Sequence, residues 1–254
     1  MGWVELFSES HVVAFMLLFF RLAALFIAVP IYSHKNIPVN IKAALAFFFT
    51  IVFYSSMPEL QLEINLPNII LAILSEFLFG LVIGVILLLA YNVITFAGGQ
   101  MSFMMGFSMA SAIDPQSGVS MPIISQFLSL IGLMVLLELD LHHWILFYMD
   151  KSLSAIPLGG FVMSEDLFNY IIHATSNMFM VGFMMAFPII ALIFISDVIF
   201  GMLMKTMPQF NLLVIGFPIK IMVSLGVIIA TLTATMLILK TTMIDAFNAL
   251  EMFF

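Results

Sequence analysis

Two apolar stretches dominate this chain: residues 67–97, where Glu76 is the sole formal charge, and residues 167–200, where Asp197 is. As a helix the first would run roughly 46 Å at 1.5 Å per residue, against a hydrocarbon core of about 30 Å. Segments of this kind need an apolar solvent or a large protein surround. The composition agrees: the chain is 64% hydrophobic and 8% charged, with mean hydropathy +1.24. A water-soluble domain carries about 25% charged residues, so a soluble enzyme is excluded. With no cysteine there is no disulfide framework, zinc–thiolate site or iron–sulfur cluster. A net charge of −7 with seven Lys plus Arg leaves no basic stripe for nucleic acid.

Hydropathy places six spans, near 11–31, 39–57, 67–97, 119–139, 167–200 and 211–239. The joints between them are Ser33–Pro38, Pro58–Asn65, Gly98–Gly118, Asp140–Asp166 and Met202–Asn211. Backbone polar groups must be satisfied internally in hydrocarbon, and barrel strands would alternate apolar with polar residues. The expected fold is therefore all-α: a polytopic membrane protein of about six long hydrophobic helices in hairpins, with the lipid bilayer as its solvent. No positive region precedes the first span, so a retained start is expected rather than a cleaved signal. Lys35, Lys42 and Lys205 against Glu59, Glu63, Glu138, Asp140, Asp150, Glu165 and Asp166 put joints one, three and five in the cytoplasm and both termini outside. Lys151 and Lys240 go against that bias. Pro188 can kink the fifth span. Gly80 and Gly84, and Gly226 with Ala230, are small-x-x-x-small pairs that serve close helix packing, either inside one bundle or between subunits.

Arg21, Glu76, Asp197 and Lys220 lie within the spans. Intramembrane charges face protein or water and pair with one another. Shared depth predicts the pairs Arg21–Glu76 and Asp197–Lys220, acting as structural ion pairs or as elements of a proton or ion relay.

The third joint is apolar yet broken by Gly98, Gly99, Gly106, Pro115 and Gly118. Met101, Met104, Met105 and Met109 recur at roughly helical spacing around Phe107, and Asp114-Pro115-Gln116-Ser117-Gly118 has turn chemistry before Pro122. A semi-apolar segment at membrane depth is tolerated when buried in protein or lining a cavity. It reads as a plug or constriction, the alternative being an ordinary cytoplasmic loop. The 22 methionines could supply thioethers for cuprous ion, but they scatter through every span and the five histidines do not cluster with them. No His-Glu-x-x-His motif and no phosphate loop is present, nothing fixes Ser108 beside His173, and His142-His143-Trp144 is expected in a solvated loop. Neither an enzyme nor a cofactor is indicated, and no metal site is expected.

Four ordered stretches resemble the FliR family of flagellar type III export-gate proteins, and more distantly its counterparts in virulence injectisomes. They are Arg21 with Pro30, Pro38 and Lys42; Glu76, Gly80 and Gly84, continuing to Gly98; Gly106 with Asp114-Pro115-Gln116 and Gly118; and Asp197, Gly201, Lys205, Pro208-Gln209-Phe210-Asn211, Gly216, Pro218 and Lys220. The family often has Arg where this chain has Lys205, which keeps the charge but loses the planar fork. The resemblance implies a bacterial inner-membrane subunit of the flagellar basal body. Such a subunit assembles with FliP and FliQ into a helical gate, with FlhB and FlhA nearby, that exports unfolded flagellar subunits. It implies a FliP-like part over 1–165 and a FliQ-like hairpin over 166–254. It also places the pore plug over Gly106–Pro122, and hairpin-loop contacts at Lys205, Pro208, Gln209 and Asn211. A stand-alone secondary transporter is the competing class.

Overall fold

The computed structural model describes residues 9–33, 37–56, 60, 62–107, 122–207 and 212–253. Among them every regular element is helical: α1 (Glu9–Ala28), α2 (Pro30–Ser33), α3 (Val39–Phe53), α4 (Leu66–Met105), α5 (Ile123–Glu138), α6 (Leu141–Ala155), α7 (Glu165–Thr206) and α8 (Phe217–Glu251). A short 3₁₀ turn, Tyr54–Ser56, extends α3, and a π turn, Leu212–Gly216, precedes α8. Among the described residues five helices are long and apolar enough to cross a membrane, or six if the bent pair α5 and α6 is one span.

The ends of these helices follow from local chemistry. Pro67 falls in the first turn of α4, where a missing N–H would lack an intrahelical partner anyway. α7 starts with Glu165 and Asp166 and ends with Lys205, which complements the helix dipole at both ends. The Ser164 hydroxyl accepts the Leu167 N–H at 3.2 Å, capping the first turn. At 40 and 42 residues, α4 and α7 reach about 60 Å, twice the hydrocarbon thickness.

The boundaries correct the hydropathy reading in three places. α4 does not stop at Gly98–Gly99 but continues through both glycines to Met105. A Cβ on Gly98 would lie 2.6 Å from the Ser125 Cα, so this glycine lets α5 approach the α4 backbone instead of breaking α4. The polar joint 140–166 contains a 15-residue helix, α6, and His142-His143-Trp144 lies on it and not in a loop. The last span runs on to Glu251, because the charged residues beyond 239 are too few to end a helix that has apolar neighbours. As expected for a single span, α7 runs as one helix past Pro188.

The chain forms two compact units, and the division falls within α4, α5, α7 and α8. The first comprises residues 1–89, 136–174 and 243–254. There α1 packs on α3 through a ladder of rings, with Phe26 5.6 Å from Phe49 and Phe15 5.6 Å from Phe47. α1 also meets α4 at the Gly80/Gly84 pair. A Cβ on Gly80 would stand 2.2 Å from the Arg21 carbonyl oxygen, and one on Gly84 2.3 Å from the Ala28 Cβ. This small-residue pair is spent inside the chain. Tyr54 is hydrogen bonded to His11 Nδ1 at 2.7 Å.

The second unit comprises 90–135 and 175–242. Its α4 and α5 segments are tied by the Ser125 hydroxyl donating to the Thr95 carbonyl at 2.7 Å and by Tyr91 donating to the Ser129 carbonyl at 2.6 Å. Phe96 sits 5.1 Å from Phe179 and 5.3 Å from Phe183, over Gly182, which has no room for a Cβ. Gly226 and Ala230 are exposed, and among the described residues nothing beyond the local α8 chain lies within 4 Å of a Cβ built on Gly226.

Candidate functional site

The largest fully buried side chain of the first unit is a charged one, Arg21 on α1. It and Glu76 on α4 are both 0% exposed. Arg21 Nε donates to Glu76 Oε2, and Nη2 donates to Oε1 at 3.0 Å, a bidentate fork. The remaining donors are also engaged: Nη1 with the Ser152 hydroxyl at 3.3 Å and carbonyl at 3.5 Å, and Nη2 with the Ile156 carbonyl at 3.3 Å. Glu76 Oε1 also accepts the Gly159 N–H at 2.6 Å. Gly159 has φ +79, and a Cβ there would stand 3.0 Å from the Ala72 Cβ, so glycine is what lets this loop reach Glu76. The guanidinium also lies 4.5 Å from the Phe79 ring centroid, and Phe79 packs 5.0 Å from Phe161.

Four segments, α1, α4, α6 and the loop 156–161, are thus tied to one buried ion pair. A buried pair offsets its desolvation only when its remaining hydrogen-bonding positions are filled, and here they are filled. Beyond Glu76, the described hydrogen-bond partners of Arg21 are the Ser152 and Ile156 carbonyls and the Ser152 hydroxyl, so the pair clamps these segments together.

In the second unit Lys220 of α8 forms an ion pair with Asp197 of α7. The two environments differ: the Lys220 side chain is 9% exposed, that of Asp197 51%. Lys220 Nζ also stands 5.5 Å from the Phe217 ring centroid. The same ring faces Gly106, whose Cβ would lie 2.7 Å from Phe217 Cε1. Gly106 has φ +89 and its N–H bonds to the Phe103 carbonyl at 3.1 Å, which ends α4 with a glycine in the left-handed region. The end of α4 therefore rests on the same ring that borders the Asp197–Lys220 pair.

Of the residues expected in the constriction, Met101 and Met105 are buried one turn apart on α4, while Met104, Gly106 and Phe107 are partly buried. Pro122 is exposed just before α5. Met109, Asp114, Pro115, Gln116 and Gly118 lie outside the described residues, as do Pro208, Gln209 and Asn211. Lys205 is exposed in the last turn of α7. The segment 108–121 thus begins and ends at two built contacts: Gly106 on Phe217, and the start of α5 on α4 through Gly98 and Ser125.

Sequence reasoning missed Ser152, Gly159 and Phe79 as partners of the buried pair. The run Pro157-Leu158-Gly159-Gly160 carries a turn signal, but nothing in it points to Glu76.

Long apolar helices of this number, a buried charge clamp and large apolar faces define a polytopic α-helical membrane protein. The chain belongs to the family described as bacterial export proteins, family 1, whose model matches residues 12–246. It is similar to the flagellar biosynthetic protein FliR of Bacillus subtilis (strain 168), with 33% identity over 235 residues that cover 89% of each chain. The FliR of Escherichia coli (strain K12) is 27% identical over 210 residues, 83% of this chain and 80% of that one. The FliR of Aquifex aeolicus (strain VF5) is 23% identical over 250 residues, 97% of this chain and 95% of that one.

Proposed function

We propose that this chain is a subunit of a flagellar type III protein export gate in the bacterial inner membrane, at the base of the flagellum. In this reading it assembles with FliP and FliQ into the channel that exports unfolded flagellar subunits, with FlhB and FlhA nearby. Membership of an export family and the FliR name shared by its relatives support the flagellar assignment. The observation that carries the multi-subunit reading is the apolar surface of the long helices. Only 28% of an apolar 18-residue window in α7, and 17% of one within Val214–Glu251, is buried inside the chain. Helices twice the thickness of the hydrocarbon core cannot be covered by lipid along their whole length, so much of this surface needs neighbouring subunits.

The two halves would then play different parts: residues 1–165 as a FliP-like element and 166–254 as a FliQ-like hairpin. The role is physical rather than catalytic. The segment from Met101 to Pro122 acts as the constriction, with thioethers and small residues that close on themselves when idle and yield to a passing chain. Lys205, Pro208, Gln209 and Asn211 would contact neighbours at the turn of the C-terminal hairpin.

Affinity purification of the chain co-expressed with FliP and FliQ tests the assignment, together with flagellar subunit secretion by cells lacking the gene. Recovery of a three-component complex and loss of secretion are expected. A stable monomer that moves small solutes alone would replace the gate with a secondary transporter.

A further inference from the structure

Where α5 gives way to α6, three side chains that the gate reading does not use converge. The two helix axes differ by 60°, and Asp140 stands between them at φ +54, a left-handed conformation rare for a residue with a side chain. Its carbonyl accepts the N–H groups of His143 at 2.8 Å and Trp144 at 3.2 Å, so the turn into α6 is fixed by the backbone itself. With the turn set this way, the Asp140 carboxylate and one ring nitrogen each from His142 and His143 lie within 4.8 Å of one another. Asp140 Oδ1 is 3.3 Å from His143 Nδ1, and the two imidazole centroids are 4.0 Å apart.

A second observation is independent of that convergence. His142 Nδ1 is buried and has no hydrogen-bond partner. Buried polar atoms are nearly always satisfied, so a His142 ring with a nitrogen left unpartnered among the described residues keeps bonding capacity in an elbow that already gathers a carboxylate and a second imidazole. The spacing fits as well. Bonds of about 2.0–2.1 Å around a tetrahedral ion place neighbouring donor atoms roughly 3.3 Å apart, which the Asp140–His143 edge already shows. The side chains of Asp140 and His143 are each 69% exposed, so a hydrated ion can reach them. The positive end of α6 alone would repel a cation, but the carboxylate of Asp140 and the last carbonyls of α5 oppose that field.

We propose that Asp140, His142 and His143 bind a divalent transition-metal ion of the zinc class, with three protein donors and water completing the shell, and that the ion pins the elbow between α5 and α6. Two imidazoles and one carboxylate suit a borderline ion such as Zn²⁺, whereas Mg²⁺ and Ca²⁺ prefer all-oxygen shells.

The test uses the full-length protein without an affinity tag, in detergent micelles, stripped with chelator and dialysed. Calorimetric titration with Zn²⁺ should show saturable one-to-one binding. D140N and H143N should each weaken it by more than the roughly tenfold that loss of even an outer-shell partner costs. The double change H142N/H143N should abolish it, while H173N leaves it unchanged. Electron paramagnetic resonance of the Cu²⁺-loaded wild type should show coupling to two ring nitrogens, a readout that needs no variant to fold. The absence of saturable binding in the wild type, wild-type affinity in the double variant, or a copper spectrum without nitrogen coupling would each overturn the site.

Discussion

A Cβ placed on Gly80 would stand 2.2 Å from the carbonyl oxygen of Arg21, closer than any real side chain approaches a backbone atom. One glycine therefore sets the distance at which α4 crosses α1, and that crossing puts Arg21 and Glu76 within reach of each other. Replacing Gly80 with Ala must push two backbones apart, because the obstacle is not a flexible side-chain tip. Overpacking of this kind costs about 1–3 kcal/mol and occasionally more. G80A should lower the midpoint of thermal unfolding in detergent, followed by fluorescence-detected size exclusion. Gly226 provides the contrast, since among the described residues a Cβ there meets nothing beyond the local α8 chain within 4 Å. G226A should leave the isolated chain's stability unchanged or slightly raised, as alanine is the better helix former by about 1 kcal/mol. Equal losses for the two would show that α8 packs differently from the arrangement described.

The buried pair itself predicts a non-additive mutant cycle. Removing one partner leaves an uncompensated charge that is 0% exposed, at a loss of about 3–5 kcal/mol. Removing both, as R21M/E76M, replaces the pair with apolar side chains of similar length and should restore much of that loss. Folded yield and unfolding midpoint of the two single variants and the double variant decide the matter. Losses that simply add would reject the clamp.

Asp197 and Lys220 should behave differently, because half of the Asp197 side chain is exposed. Losing Asp197 strands Lys220, which is 9% exposed, less completely than losing Glu76 strands Arg21, which is 0% exposed. D197N should therefore destabilise the chain clearly less than E76Q, measured in the same unfolding assay. If the pair also holds the end of α4 through the Phe217 ring, F217A should increase protease cleavage after Phe107 more than D197N does.

The constriction reading makes its own prediction. Met105 is buried and Gly106 rests on Phe217, so a deletion that spares the fold must begin after Phe107. Removing residues 108–116 should leave co-purification with FliP and FliQ intact while raising ion conductance across membranes that hold the complex. An assembled deletion variant with unchanged conductance would move the barrier elsewhere.

Much of the architecture was legible in the linear chain, because hydrocarbon admits few backbone solutions. Apolar runs longer than a bilayer is thick, ended by Pro, Gly and acidic residues, leave helices as the answer, and the spans near 11–31 and 39–57 lie close to α1 and α3. Gly98 was misleading for a definable reason. A glycine that breaks a helix and one that admits a neighbouring backbone look identical until the neighbour, here Ser125, is in place. α6 was hidden in the polar joint because its charged and histidine residues lower the hydropathy without ending the helix.

By itself, then, the order of residues determined the class of protein, the number of long helices to within one, and the presence of two charges of each sign within them. Those properties depend on local solvation and hydrogen bonding, which act along the chain. The tertiary structure decided which glycines are packing surfaces, that Ser152, Ile156 and Gly159 complete the Arg21–Glu76 clamp, and that Asp140 and two histidines share one elbow. The glycine contacts and the clamp depend on the convergence of residues as far as 135 positions apart, and the elbow on a local backbone turn at Asp140; the spacing of residues along a single helix encodes neither.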